Sequence, residues 1–135
     1  MPITLKRDIG GVDWDALSYL YSQTLGQDAP DQLERTWSVS YAAVLAYDGD
    51  RLVGAARALS DGEREALIVG VAVFPEYQRR GIGTAMMQDL IDRLGSCAIV
   101  LTSSEDENTP FYHSLGFRTH KRAMVLRYPP EVLLD

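Results

Sequence analysis

Apolar residues along the chain change their spacing several times, and each change predicts a different element. Ile3 and Leu5, with Arg7 to Ile9 after them, predict a short first strand. Asp13 then stands as an N-cap before Trp14, Leu17, Leu20, Tyr21 and Leu25, whose spacing of three and four is helical; Gly26 ends the run. Pro30, with Asp28 and Asp31 nearby, starts a second helix to about Val39 that carries Leu33 and Trp37 on one side. Tyr41 to Tyr47 and Leu52 to Leu59 are strand-like, joined by the hairpin signal Asp48-Gly49-Asp50. Ser60-Asp61-Gly62 marks a further turn, and Glu65 to Phe74 completes a three-stranded meander.

The period then becomes helical again. Ile82, Ala85, Met86, Leu90, Ile91 and Leu94 predict a helix stopped by Gly95. Ala98 to Leu101 is continuously apolar, the pattern of a strand buried on both faces. Thr109 as N-cap and Pro110 at the first helical position predict a short helix to Leu115, with Gly116 behind it. Phe117 to Thr119 and Ala123 to Tyr128 predict a closing pair of strands. The resulting order is β-α-α-β-β-β-α-β-α-β-β, an α+β layout whose later βαβ stretch supplies a parallel pair. No repeat or Pro/Gly/Ser linker interrupts it, so one domain over residues 1–135 is expected.

Composition narrows the functional classes. With 13 Lys+Arg against 19 Asp+Glu the net charge is −6, which argues against a basic nucleic-acid-binding module and favours a cationic or amine partner. The single Cys97 cannot form an internal disulfide, and one Cys with two His offers no zinc spacing, so no metal is expected. The N-terminal stretch has no apolar signal core and the longest apolar run is too short to span a bilayer; a cytoplasmic protein without membrane attachment is the expectation.

Chemistry concentrates in Val71-Ala72-Val73-Phe74-Pro75-Glu76-Tyr77-Gln78-Arg79-Arg80-Gly81-Ile82-Gly83-Thr84. A strand enters a Pro-terminated turn, passes two arginines and opens a helix through Gly-x-Gly. Such a turn leaves backbone N–H groups without intrahelical partners, in the positive end of the helix dipole, where a phosphate or pyrophosphate fits. Gly81 and Gly83 could instead serve only close strand–helix packing. The segment is no P-loop, having no Lys-Ser/Thr after the glycines. It is no dinucleotide fingerprint either, since Met86 stands where the third glycine would be. Further on, Tyr112 falls in the first turn of the short helix, where a helix N-terminus would stabilise its anion and sharpen it as a proton donor.

Together, Val-x-Pro-x-Tyr-Gln-x-x-Gly-x-Gly and the later Phe111-Tyr112-x-x-Leu115-Gly116-Phe117 resemble the GNAT superfamily of acetyl-CoA-dependent N-acetyltransferases, at Gln78, Gly81 and Gly83 and at the second motif. The element order resembles that family over essentially the whole chain. The resemblance implies a GNAT-like fold, a central mixed twisted sheet flanked by helices. It also implies an acetyltransferase moving an acetyl group from acetyl-CoA to a primary amine of a small molecule or peptide, directly within a ternary complex. Val71, Ala72 and Val73 would then line the pantetheine arm, with a bulge expected at Gly70. Gln78, Arg79, Arg80, Gly81, Ile82, Gly83 and Thr84 would hold the pyrophosphate, and Tyr112 would protonate the departing thiolate.

The resemblance leaves the base open among Glu63, Glu65, Glu105 and Asp106, each also readable as a solvated surface carboxylate. The family's Asn several residues before the tyrosine has no counterpart at that place, which is Glu105; Asn108 lies closer to Tyr112. The acceptor pocket would involve residues 22–30, with Trp14, Tyr19, Tyr21, Trp37 and Tyr41 either walling it or serving the core. A non-catalytic coenzyme A-binding module with the same fold is the alternative. Ala123 to Tyr128 could pair across a homodimer or lie as a covered edge within one monomer.

Overall fold

Asp13 starts the first helix as its spacing predicts, its carboxylate accepting from the amides of Asp15 (3.0 Å) and Ala16 (3.1 Å). The computed structural model describes residues 2–102, 106–120 and 123–127, in two compact units, residues 1–101 and 102–135. In the first unit, β1 (Ile3–Lys6) leads to α1 (Trp14–Ser22) and α2 (Pro30–Ser38). The meander β2 (Ala42–Asp48), β3 (Arg51–Ser60) and β4 (Glu65–Val73) follows, then a 3-10 turn (Pro75–Tyr77), α3 (Ile82–Arg93) and β5 (Ala98–Leu101). The five strands form one sheet in sequence order, antiparallel except for the parallel β4–β5 pair that α3 connects.

Successive side chains of a strand point to opposite faces, and β3 shows what covers each. Arg57 reaches the Thr36 carbonyl at the end of α2 (3.3 Å), while Gly54 faces the Met86 side chain of α3. The helices α1 and α2 therefore lie over one face and α3 over the other. Leu17, Leu20, Leu33 and Trp37 fill the first layer; Ile82, Met86, Met87 and Leu90 fill the second. Asp89 of α3 is nearly buried, its side chain 8% exposed, and it is bound by Arg7 (2.5 Å) and Arg93 (2.8 Å). Arg93 also donates to the Ala43 carbonyl (2.8 Å), so one acidic side chain ties the chain after β1, the helix and the sheet together.

The strand β4 does not run evenly beside β3. Ala55 pairs with Ala72 and Arg57 with Val69, so β4 holds one residue more than β3 over this stretch: a bulge. Gly70 adopts φ +66 there, and its carbonyl accepts from the Tyr21 hydroxyl of α1 (2.7 Å). A Cβ at Gly70 would lie 2.6 Å from that hydroxyl, so both backbone angle and space require glycine. On the other edge, pairing with β5 ends at Ile68 opposite Leu101, immediately before the bulge. The expectation of a bulge at Gly70 thus agrees with the structure.

The second unit holds a 3-10 turn (Asp106–Asn108) and α4 (Thr109–Ser114). Several expectations need correction. Phe117 to Thr119 and residues 123–127 are not strands, because a strand is a pairing and not a property of a segment; Tyr128 lies outside the described residues. Thr109 does not cap α4: the preceding 3-10 turn already places Asn108 in helical geometry, and no side chain caps the helix. β5 is not buried on both faces, since α3 packs over β2, β3 and β4 and leaves Val100 55% exposed. Arg7 to Ile9 lie beyond β1, Leu25 lies beyond α1, and Ala85 is exposed while Met87 takes the buried position. Among the described residues, no helix is long and apolar enough to cross a membrane.

Two outcomes follow for stability. Gly70→Ala should destabilise by about 2–4 kcal/mol, combining left-handed strain with overpacking. In a Tyr21→Phe background the same change should cost less, because the nearest clashing atom is gone; a double-mutant cycle from urea unfolding reads the coupling. For Asp89, burial pushes the carboxyl pKa up, but hydrogen bonds and charge from Arg7 and Arg93 outweigh it and the net direction is down. A depressed folded pKa gives stability that is present above the unfolded value of about 3.9 and lost as pH falls through the folded one. Asp89→Asn should therefore cost about 1–3 kcal/mol at pH 7, and its difference from the parent should shrink in unfolding experiments at about pH 3.

Candidate functional site

The end of β4 and the start of α3 form one continuous surface of backbone groups. From the bulge at Gly70 to Val73, β4 keeps its β3 partner but has no strand on its other edge among the described residues. Val71 and Val73 are half-buried and Ala72 is buried, which places this stretch at the margin of the core. The chain then turns through Pro75–Tyr77 and reaches Arg79, a non-glycine residue at φ +64, and Gly81 at φ +81. Among the described residues, the backbone amides of Arg79 and of Gly81 to Thr84 have no hydrogen-bond partner, while Gln78 and Arg79 form a turn closed at Arg80; the first α3 bond is from Ala85 to the Gly81 carbonyl (3.0 Å). Left-handed residues beside right-handed ones turn successive N–H groups into a concave nest for an anion. A Cβ on Gly81 would meet nothing within 4 Å, so its need for glycine is conformational and its approach is open.

This turn is braced from outside. The Gln78 side-chain amide donates to the Val73 carbonyl (3.0 Å), so this predicted ligand first closes the turn on itself. The Tyr77 hydroxyl donates to Asp48 (2.6 Å), and Arg51 pairs with Glu76 (3.0 Å). The Arg51 guanidinium lies over the rings of Phe74 (4.8 Å) and Tyr77 (5.4 Å), and that of Arg80 lies over Tyr77 (4.9 Å). Asp48 holds the Tyr77 phenol protonated by its hydrogen bond, with burial and its charge adding to the upward shift. The sequence marks Asp48 only as part of a hairpin turn; that this hairpin lies against the Pro75–Tyr77 turn follows from β3–β4 pairing, Gly54 opposite Val73 and the Phe74 amide on the Val53 carbonyl.

The pyrophosphate candidates Gln78, Arg79, Arg80, Gly81, Ile82, Gly83 and Thr84 are thus contiguous with Val71, Ala72 and Val73 on one edge. The carboxylates Glu63 and Glu65 are exposed at the other end of β4. Glu105 and the Asp106 side chain lie outside the described residues. Of the aromatic candidates near the first helices, Tyr21 and Trp37 are core, Trp14 is half-buried, and Tyr19 and Tyr41 are exposed. An open cavity of about 600 Å³ lies at the α1–α2 connection, with Asp15, Ser18, Tyr19, Gln27 and Asp28 in its lining. Among the described residues no group of His, Cys, Asp and Glu is arranged to hold a metal ion.

In the second unit, Tyr112 stands in α4 with its ring between Phe111 (5.0 Å) and Phe117 (6.1 Å). The Phe117 amide returns to the Tyr112 carbonyl (3.1 Å) and closes the helix. Burial pushes the Tyr112 phenol above its ordinary value, opposite to the lowering expected from a helix N-terminus. The cause is burial of the ring, which lies close to Phe111 and Phe117. The upward shift makes Tyr112 a weaker acid than an ordinary phenol while leaving it protonated at neutral pH.

Known proteins share this architecture. A glucosamine 6-phosphate N-acetyltransferase from Trypanosoma brucei brucei is 43% identical over 61 residues, 44% of this chain and 42% of that protein. The chain spans between about a quarter and two-fifths of the length of the curated relatives it matches. A GNAT family acetyltransferase from Streptococcus pneumoniae TIGR4 has a TM-score of 0.78 at 29% identity, over 94% of this chain and 100% of that one. The ribosomal-protein-S18-alanine N-acetyltransferase of Escherichia coli shares the fold, with a TM-score of 0.75 at 22% identity over 89% of this chain and 80% of that one. The resemblance carried by the Gln78 and Tyr112 motifs is therefore met by both sequence and fold. The family model of the acetyltransferase (GNAT) family matches residues 12–117, and the chain belongs to that family.

Proposed function

We propose that this protein is an N-acetyltransferase that uses acetyl-CoA and acetylates a primary amine by direct transfer. One observation carries the reading: a strand edge freed by a bulge runs straight into a nest of unpartnered amides. The amides fit a pyrophosphate by chemistry, since they are N–H donors at a helix start in an otherwise acidic chain. The free edge from Gly70 to Val73 fits the amide-bearing pantetheine arm, which can add to it as a strand would. Bound acetyl-CoA supplies the activated acyl group.

The chain's own groups then have distinct tasks. Amides on the freed edge of β4 are available to a developing oxyanion, and donors preset for such charge are worth several kcal/mol in the transition state. Tyr112, protonated at neutral pH, is the proton donor to the leaving thiolate in this reading. The α1–α2 cavity is the acceptor site in this reading; Asp15 and Asp28 suit an amine that arrives as a cation. That cation gives its proton to water before the free amine attacks the thioester, and the amine loses a second proton to water as the tetrahedral intermediate collapses to the amide and the thiol. An amino-sugar phosphate, the class named for the trypanosomal relative, and a peptide amino terminus are the first acceptors to try.

Calorimetric titration should show coenzyme A binding, and saturating ligand at about 100 times its Kd should stabilise the fold by about 2.7 kcal/mol. No heat and no thermal shift at millimolar coenzyme A would remove the reading. Tyr112→Phe should lower kcat by about 10²–10⁴ in a thiol-release assay while leaving acetyl-CoA affinity nearly unchanged. Binding without thiol release across amine acceptors would favour the non-catalytic alternative. Arg79→Gly should keep or raise the melting temperature, because glycine takes φ +64 without strain, whereas Arg79→Val should destabilise by about 1–2 kcal/mol.

A further inference from the structure

The turn from Phe74 to Gly81 has an unfavourable backbone. Arg79 at φ +64 stores about 1–2 kcal/mol relative to ordinary geometry, and the amides of Gly81 to Thr84 behind it are unpartnered. Such a conformation persists only where surrounding contacts over-determine it. Several of those contacts come from one place, the β2–β3 hairpin. Val53 accepts from the Phe74 amide (3.0 Å), Arg51 pairs with Glu76, and Asp48 accepts from Tyr77. The last is a short phenol–carboxylate bond of 2.6 Å, the charge-assisted kind, and it anchors the residue from which the chain climbs into Gln78 and Arg79.

We infer that the Asp48–Tyr77 hydrogen bond is a strut that presets the amide nest for the pyrophosphate, making both side chains positioning residues for coenzyme A. The inference rests on the function proposed above. Its logic is electrostatic as well as geometric. Arg51 compensates the charge of Glu76 in the turn, and the Asp48 carboxylate engages its acceptor oxygen with the Tyr77 hydroxyl. Tyr77 in turn carries the Arg80 guanidinium over its ring, so the strut also fixes the base on which one of the two cationic side chains of the turn rests. Asp48 and Tyr77 are both half-buried at the sheet's end and outside the buried core, which leaves fold stability largely to other residues.

The test uses the whole chain, with Tyr77→Phe, Asp48→Ala and Asp48→Asn. Phenylalanine keeps the ring under Arg80 and Arg51 but has no donor; asparagine keeps an acceptor for the phenol. Tyr77→Phe and Asp48→Ala should each weaken coenzyme A binding about five- to twentyfold, the double variant should be no weaker than either, and Asp48→Asn should stay within about twofold of the parent. KM for acetyl-CoA should rise while kcat at saturation holds within about twofold. With S-acetylpantetheine, which lacks the pyrophosphate, kcat/KM should be unchanged. Equal losses on both thioesters, or parent-like coenzyme A affinity in Tyr77→Phe, would overturn the strut while leaving the acetyltransferase reading intact. A parent protein that binds no coenzyme A would overturn both. Should Asp48→Ala fail to fold, the contrast between Tyr77→Phe and Asp48→Asn still decides the matter.

Discussion

The hydrogen bond from Tyr21 to the Gly70 carbonyl is the constraint from which the candidate site develops. A bulge in the middle of a sheet turns backbone groups away from their ladder, and a buried carbonyl without a partner costs about 1–3 kcal/mol. Tyr21 satisfies it from α1, deep in the core, where burial holds the phenol well above its ordinary pKa and so always a donor. With the bulge fixed, β4 stays in register with β3 through Val73 yet parts from β5 after Ile68. The free edge is therefore a property of the core, and α1 is part of the site's foundation even though its own side chains lie on the acceptor side.

Charge is distributed to the same end. The chain carries −6, and its candidate anion site does not rely on a basic surface. It relies on peptide dipoles whose orientation is set by the left-handed residues Arg79 and Gly81, with arginine side chains as an addition. Dipoles fixed in the fold need no reorganisation when the ligand's charge arrives, and they act at short range, so a long-range excess of acid elsewhere is tolerated. Glu76 at the turn is paired with the cation Arg51, while Asp48 accepts from the Tyr77 hydroxyl.

The elements most legible in sequence were those with a local cause. Asp13, Pro30 and Gly95 mark helix ends through capping and φ preference, and Asp48-Gly49-Asp50 marks its hairpin, so these boundaries fall close to where the pattern sets them. The Gly-x-Gly turn and the glycine of the bulge were legible for the same reason: glycine advertises an unusual backbone. What stayed hidden depended on distance in the chain. Nothing near Tyr21 announces that its hydroxyl meets Gly70, and nothing near Asp48 announces Tyr77. Ala98 to Leu101 shows the limit of composition, since an apolar run reads as doubly buried whether or not a helix covers it, and α3 covers the strands before it instead. Tyr112 shows the same limit: its place in a short helix is legible in the sequence, but the burial that raises its phenol is not.

Gly70 and Arg79 bracket the freed edge of β4 and its turn, and each sits in the left-handed region. At each end the unusual backbone is steadied by a tyrosine hydroxyl: Tyr21 on the bulge from α1, Tyr77 through Asp48 from the hairpin. The two differ in burial, and that difference has a consequence. Tyr21 lies in the core, so loosening it disturbs the whole first unit, whereas Tyr77 stands half-exposed and can be altered with the core in place. The bulge is therefore bound to fold stability, while the nest is the part whose shape is separable from it. Under the proposed function, in which a thioester arm lies at one end and a pyrophosphate at the other, this division ties the reacting end to the core and leaves the anchoring end to residues that the core does not need.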